Sequence, residues 1–270
     1  MPLDAMNLSS EVGPVFWGFL ISTCLYGIAL CQGFMYFVNF PKDSALVRTM
    51  VALLLILITA STVLMGQCFN FYVIVNFGNT QALATLPGEF SAELVCTFTT
   101  TFIGQLFFAR QVHVFRKTAW HLSVLITALS VVGFGFGTAL CAELIMHGTT
   151  LTSTTVIKIT ASISLSANLL SNIIASGALC TLLTTSKKDV FSSTNGVLTK
   201  LTIYTLTRGL LVAFVQAGFL VTYVAGPDEI WWVPLHLILS KVYVNSLRQS
   251  PMLSTLILTH SLTCLIQLLA

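Results

Sequence analysis

The sequence predicts an all-α integral membrane protein, a seven-transmembrane-helix bundle with its N-terminus outside and its C-terminus inside. Two observations carry this. The 270 residues are 56% hydrophobic and only 8% charged, where a soluble domain carries about 25% charged residues. The apolar residues also run in blocks of the roughly 20 residues that a membrane-crossing helix needs. The orientation rests on a third observation, the sorting of basic residues among the connecting loops.

Seven stretches qualify as spans: 14–38, 47–75, 89–111, 121–145, 156–184, 200–225 and 230–249. The second is longer than a bilayer requires and is expected to protrude or tilt. Residues 1–13 form a short external segment with Asp4 and Glu11 and no Lys or Arg. They lack the basic start of a cleaved leader, so the first span is expected to act as an uncleaved signal-anchor. The sequon Asn7-Leu8-Ser9 makes Asn7 a candidate glycosylation position there.

The connections carry turn chemistry. Asn39-Phe40-Pro41-Lys42-Asp43-Ser44 stops the first helix and offers Asp43 or Ser44 as N-cap of the second. Asn76-Phe77-Gly78-Asn79 and Pro87-Gly88 bound loop 2. Loop 5, Thr185–Thr199, is the longest polar connector. Gly226-Pro227-Asp228-Glu229 forms the turn before the last span.

Lys42 and Arg48 flank loop 1; Arg110, Arg116 and Lys117 flank loop 3; Lys187, Lys188 and Lys200 flank loop 5; Arg248 follows span seven. Loops 2 and 6 contain no Lys or Arg, and Lys158 near loop 4 is the only basic residue on that side. Loops 1, 3 and 5 are therefore expected inside. Residues 250–270 form an apolar tail after the helix-breaking Pro251, expected to lie along the inner leaflet, with an eighth span as the alternative.

Charged and amide residues at membrane depth mark functional positions. The candidates for an intramembrane polar cavity are Glu93, Asn168, Asn172, Arg208, Lys241 and Asn245. Glu89, Glu93, Thr97, Thr100, Thr101 and Gly104 form one stripe that should face the bundle interior, with Glu89 at the interface and Glu93 one turn deeper; as an alternative, Glu93 is a second interfacial carboxylate reaching water. Ser164, Asn168, Asn172 and Ser176 recur every fourth residue on span five, a pattern for interhelical hydrogen bonds. Gly133 and Gly137 make a GxxxG for close helix approach.

Helical side chains lean toward the helix N-terminus, so Arg208 can reach the inner surface whereas Lys241 leans deeper into the membrane and needs a partner. Glu93 is one conceivable partner.

The chain resembles a family of fungal, basidiomycete-type seven-helix membrane proteins that carry a C-terminal domain of unknown function, here about 160–248. The resemblance rests on Leu25-Tyr26-Gly27, Tyr36-Phe37-x-Asn39-Phe40-Pro41-Lys42-Asp43, Asn76-Phe77-Gly78-Asn79, Gln105-x-Phe107-Phe108-x-x-Arg110, Ile203-Tyr204-Thr205 and Ser240-Lys241-x-Tyr243-Val244-Asn245-Ser246-Leu247. The sequence departs from the family pattern at Asn172, at Arg208 and in the tail. The resemblance implies a seven-helix membrane protein and brings no activity with it.

The functional expectation is a receptor-like seven-helix protein in the plasma membrane or another membrane of the secretory pathway. Membrane lipids surround it, an unidentified small-molecule ligand or cytoplasmic partner acts on it, and neither a cofactor nor nucleic acid is called for. The alternative is a small-solute transporter or channel, supported by the intramembrane polar set. Two further alternatives are an intramembrane metal hydrolase using Glu143 and His147, which would need a third ligand, and retinal attached to Lys241.

Overall fold

The computed structural model describes residues 8–41, 43–76, 79, 86–115, 120–146, 154–186, 192–226 and 230–247. Seven α-helices account for nearly all of them. They are α1 (Leu8–Asn39), α2 (Ala45–Phe69), α3 (Gly88–Phe115), α4 (Trp120–Met146), α5 (Thr155–Ser186), α6 (Ser192–Ala225) and α7 (Val233–Leu247). Among the described residues, five segments are long and apolar enough to cross a membrane: Gly13–Asn39, Ala45–Val75, Gly88–Val114, Trp120–Met146 and Thr155–Leu182.

The surface of the bundle is apolar, and polar and charged side chains are buried inside it among a hydrophobic core. Phe34, Ile56, Val63, Val131, Leu210 and Phe214 point outward and exposed, while Glu93, Gln105, His236, Ser240 and Lys241 are fully buried. Water would not tolerate such an exterior over so many turns, and the arrangement is that of a membrane protein.

Neighbours in sequence pack as neighbours in space, and α7 closes the ring against α1. Within it α3 touches α2, α4, α5 and α7, and α7 touches α1, α2, α3 and α6. The two central helices are thus α3 and α7, and they carry the polar side chains described below.

Close approach is set by small residues. A Cβ on Gly18 would sit 2.5 Å from Pro234 Cα, so α1 and α7 meet almost backbone to backbone. Gly133 faces the side chain of Asn168 and Gly137 faces the ring of Phe98, so the two ends of the GxxxG serve α5 and α3 respectively. Gly135 between them has nothing within 4 Å.

Several boundaries differ from the sequence expectation. Beyond Phe69 the second span continues as a π-helical turn, Asn70–Val75, closed by Asn76, whose backbone N–H and side-chain Nδ2 both donate to Phe71 O. Ser44 occupies the N-cap of α2 without a side-chain cap bond, and Asp43 Oδ2 instead accepts from the phenol Oη of Tyr36 at 3.0 Å. The α6 helix begins at Ser192, inside what the sequence suggests is loop 5. The last span begins as a 3-10 turn, Ile230–Trp232, before the α-helix starts at Val233. Pro234 explains that start, because proline lacks an N–H and fits only the first helical turn.

α7 is only 15 residues long, about 22 Å of rise, which is short for a 30 Å hydrocarbon core. Of α6, the described apolar part is Gly209–Ala225. The sequon at Asn7 and the tail 250–270 lie outside the described residues.

Candidate functional site

Glu93 lies near the start of α3 and is fully buried. Its Oε1 accepts from Ser61 Oγ at 2.7 Å and from Thr97 Oγ1 at 2.8 Å. Its Oε2 lies 2.7 Å from His236 Nε2. A carboxylate accepts only, so the three surrounding groups all donate and the anion is well solvated by protein. Ser61 spends its single proton on Glu93 and uses a lone pair to accept from Lys241 Nζ at 2.7 Å. One hydroxyl therefore links an ammonium to a carboxylate, and the charge-assisted bonds tie α2, α3 and α7 together.

Local sequence builds each part. Glu93 and Thr97 are four residues apart and share a helix face, which lets Thr97 reach back to the carboxylate. His236 and Ser240 share a face of α7 in the same way. Lys241, five residues after His236, approaches from the α2 side through Ser61.

An aromatic cluster covers His236 toward the end of the bundle where α3 and α7 begin. The ring centroids of Phe219, Phe90 and Trp232 lie 5.5, 6.3 and 6.3 Å from that of His236. Phe219 stacks on Trp232 at 5.8 Å, and Tyr223 meets Trp232 edge-on at 5.6 Å. These rings lay apolar surface over that side of the ion network, and a low-dielectric surrounding strengthens its electrostatics.

A second polar layer lies further along the same two helices. Gln105 Nε2 donates to Asn168 O at 3.2 Å and to Tyr243 Oη at 3.4 Å. Tyr243 Oη lies 3.5 Å from Gln216 Oε1, which also accepts from Asn172 Nδ2. Four helices, α3, α5, α6 and α7, meet in this layer.

The six residues singled out by sequence thus divide. Glu93 and Lys241 share one network, joined through Ser61. Asn172 belongs to the second layer. Asn168 contributes its backbone carbonyl to Gln105, and its side chain packs on Gly133. Asn245 is apart from both, donating to Leu25 O on α1 at 3.1 Å. The side chain of Arg208 lies outside the described residues, as does His147. The Glu143–His147 pair therefore falls outside what the structure describes, and among the described residues no group of three His, Cys, Asp or Glu could hold a metal ion.

Sequence reasoning did not assign Ser61, His236, Gln105 or Tyr243 to the site. A signal existed for His236, an imidazole in an apolar helix five residues before a buried lysine. Ser61 gave none, because isolated serines are common in membrane helices and bond to their own backbone.

Residues 168–250 match a family of unknown function, DUF6534. That domain contributes Asn168, Asn172, Gln216, His236, Lys241 and Tyr243, whereas Glu93, Ser61 and Gln105 precede it. No curated protein and no solved structure matches the chain.

Proposed function

We propose that the chain is a receptor-like seven-span membrane protein, N-terminus outside and C-terminus inside, in which the Glu93 network is the lock that holds one arrangement of α2, α3 and α7. The single observation behind this is the Ser61 bridge. One hydroxyl serves both charges, so a small displacement of α2 breaks two charge-assisted bonds at once. Packed interiors of this kind switch between discrete arrangements rather than deform gradually.

The seven-span reading is supported by the position of α7. Its neighbours α1, α2, α3 and α6 enclose it, and the 3-10 turn adds about 6 Å to its rise. The orientation follows the basic residues of loops 1, 3 and 5, and the resemblance to fungal seven-helix proteins agrees. Lipids contact the apolar exterior, and a small-molecule ligand or a cytoplasmic partner biases the lock. The plasma membrane or another secretory-pathway membrane fits this orientation.

Paired spin labels near the Arg48 end of α2 and the Leu247 end of α7 test the reading. One distance is expected in the wild type, with a second population in Ser61→Ala. A single unchanged distance in both would sink the lock. A reporter inserted in loop 5 and found outside would reverse the topology.

A small-solute transporter is the second reading. The buried atoms His236 Nδ1, Ser240 Oγ and Gln105 Oε1, which have no hydrogen-bond partner among the described residues, favour it. Solute flux in proteoliposomes, lost in Lys241→Met, would select this reading over the first.

A further inference from the structure

Glu93 and His236 form a buried acid and base pair whose far side is open to hydrogen bonding. His236 Nε2 faces the carboxylate, while His236 Nδ1 is fully buried and has no partner among the described residues. Ser240, one turn on along α7, has an unpartnered Oγ, and Gln105 on α3 has an unpartnered Oε1. All three side chains are at 0% exposure. Buried polar atoms in such numbers on two touching helices are ordinarily satisfied by internal water, which needs two to four polar partners.

The titratable groups within electrostatic reach of Glu93 are Cys68 on α2, Cys96 on α3 itself, Cys141 on α4, and His236 and Lys241 on α7. Free thiols and ammonium groups are already protonated at neutral pH, whereas free carboxylates and imidazoles are the side chains that take up a proton below it.

We propose that Glu93 and His236 are a proton-binding site, loaded through water held along the α3–α7 seam by His236 Nδ1 and Ser240 Oγ. The step balances simply. A hydronium on the seam gives its proton to Nδ1, leaving water. The Nε2 proton passes to Glu93 Oε2, so in all one hydronium O–H breaks and one carboxyl O–H forms, while the imidazole gains an N–H at Nδ1 and loses one at Nε2. The pair goes from a net charge of −1 to neutral, and the ammonium of Lys241 loses its counter-charge. Loading therefore releases α7 from α2 and α3. The inference stands apart from the receptor reading, since proton binding serves a receptor and a transporter alike.

Infrared difference spectra of the purified full chain in lipid nanodiscs, stepped from neutral to acidic pH in H₂O and in D₂O, test it. The expected result is a protonated-carboxyl stretch that shifts in D₂O, is absent in Glu93→Gln and persists in Glu143→Gln. In His236→Asn an amide can still donate to Glu93 but cannot carry the proton. Loading should then slow by at least about a hundredfold, the lower end of what a positioned proton-transfer group contributes. Circular dichroism run alongside restricts the reading to folded protein. A band that persists in Glu93→Gln, or no band at any pH that preserves the helices, overturns the site. Unchanged loading in His236→Asn overturns the route. If Glu93→Gln fails to fold, Glu93→Asp must move the band frequency, and an unmoved band overturns the assignment to Glu93.

Discussion

Lys241 meets Glu93 through one intervening oxygen, Ser61 Oγ, which lies 2.7 Å from the ammonium and 2.7 Å from the carboxylate. Replacing Ser61 with alanine removes the bridge and leaves both charges in place. Each loses a charge-assisted bond inside a buried site, and a buried polar group left unmade costs about 1–3 kcal/mol. Ser61→Ala should therefore lower the thermal unfolding midpoint of the detergent-solubilised protein, and Ser61→Thr should largely restore it. An alanine variant that melts like the wild type would mean that the two charges are satisfied elsewhere.

The charges themselves should be coupled. Removing one partner of a buried pair strands the other, at about 3–5 kcal/mol. Glu93→Gln and Lys241→Met should each destabilise strongly, but the double variant should fall short of their sum. The expected coupling is about 0.5–3 kcal/mol, the range for residues in one network. Strict additivity in a double-mutant cycle would show that Ser61 does not transmit the interaction.

How much of this was legible in the sequence follows from what each residue needs. The polar stripe on α3 was legible because Glu93, Thr97 and Thr101 repeat at helical spacing within an apolar helix. That Lys241 requires a buried partner was legible from its lean along α7. The bridge was not. Ser61 is about 20 Å of helix from the end of the π-turn at Val75, while Glu93 is about 7 Å from the start of α3 at Gly88. Their contact requires α2 to run well past α3, an offset that hydropathy does not encode. The aromatic cover over His236 was hidden for the same reason, since Phe90, Phe219 and Trp232 come from three separate segments.

The glycines give a test of the packing that is independent of charge. A Cβ on Gly18 would meet Pro234 Cα at 2.5 Å, a backbone atom that can move only with the whole of α7. Gly18→Ala should cost about 1–3 kcal/mol, as overpacking does. Gly135→Ala meets nothing within 4 Å and replaces a poor helix former with the best one, so it should be neutral or mildly stabilising. Thermal midpoints of the two variants should differ in that order. The reverse order would mean that α1 and α7 do not approach as closely as these distances require.

Phe219 links the cover to the network beneath it, stacking on Trp232 at 5.8 Å and standing 5.5 Å from His236. Its side chain is 5% exposed, so Phe219→Ala leaves a cavity and should cost about 3–5 kcal/mol. The cavity opens directly over the imidazole, so a loss of stability should be joined by faster hydrogen–deuterium exchange in the first turns of α3 and α7. Phe219→Leu fills most of that volume and should recover the stability while leaving the imidazole partly uncovered, because an aliphatic chain cannot stack on Trp232. Exchange in α7 that stays slow in both variants would show that the wall above His236 is sealed by Phe90 and Trp232 alone.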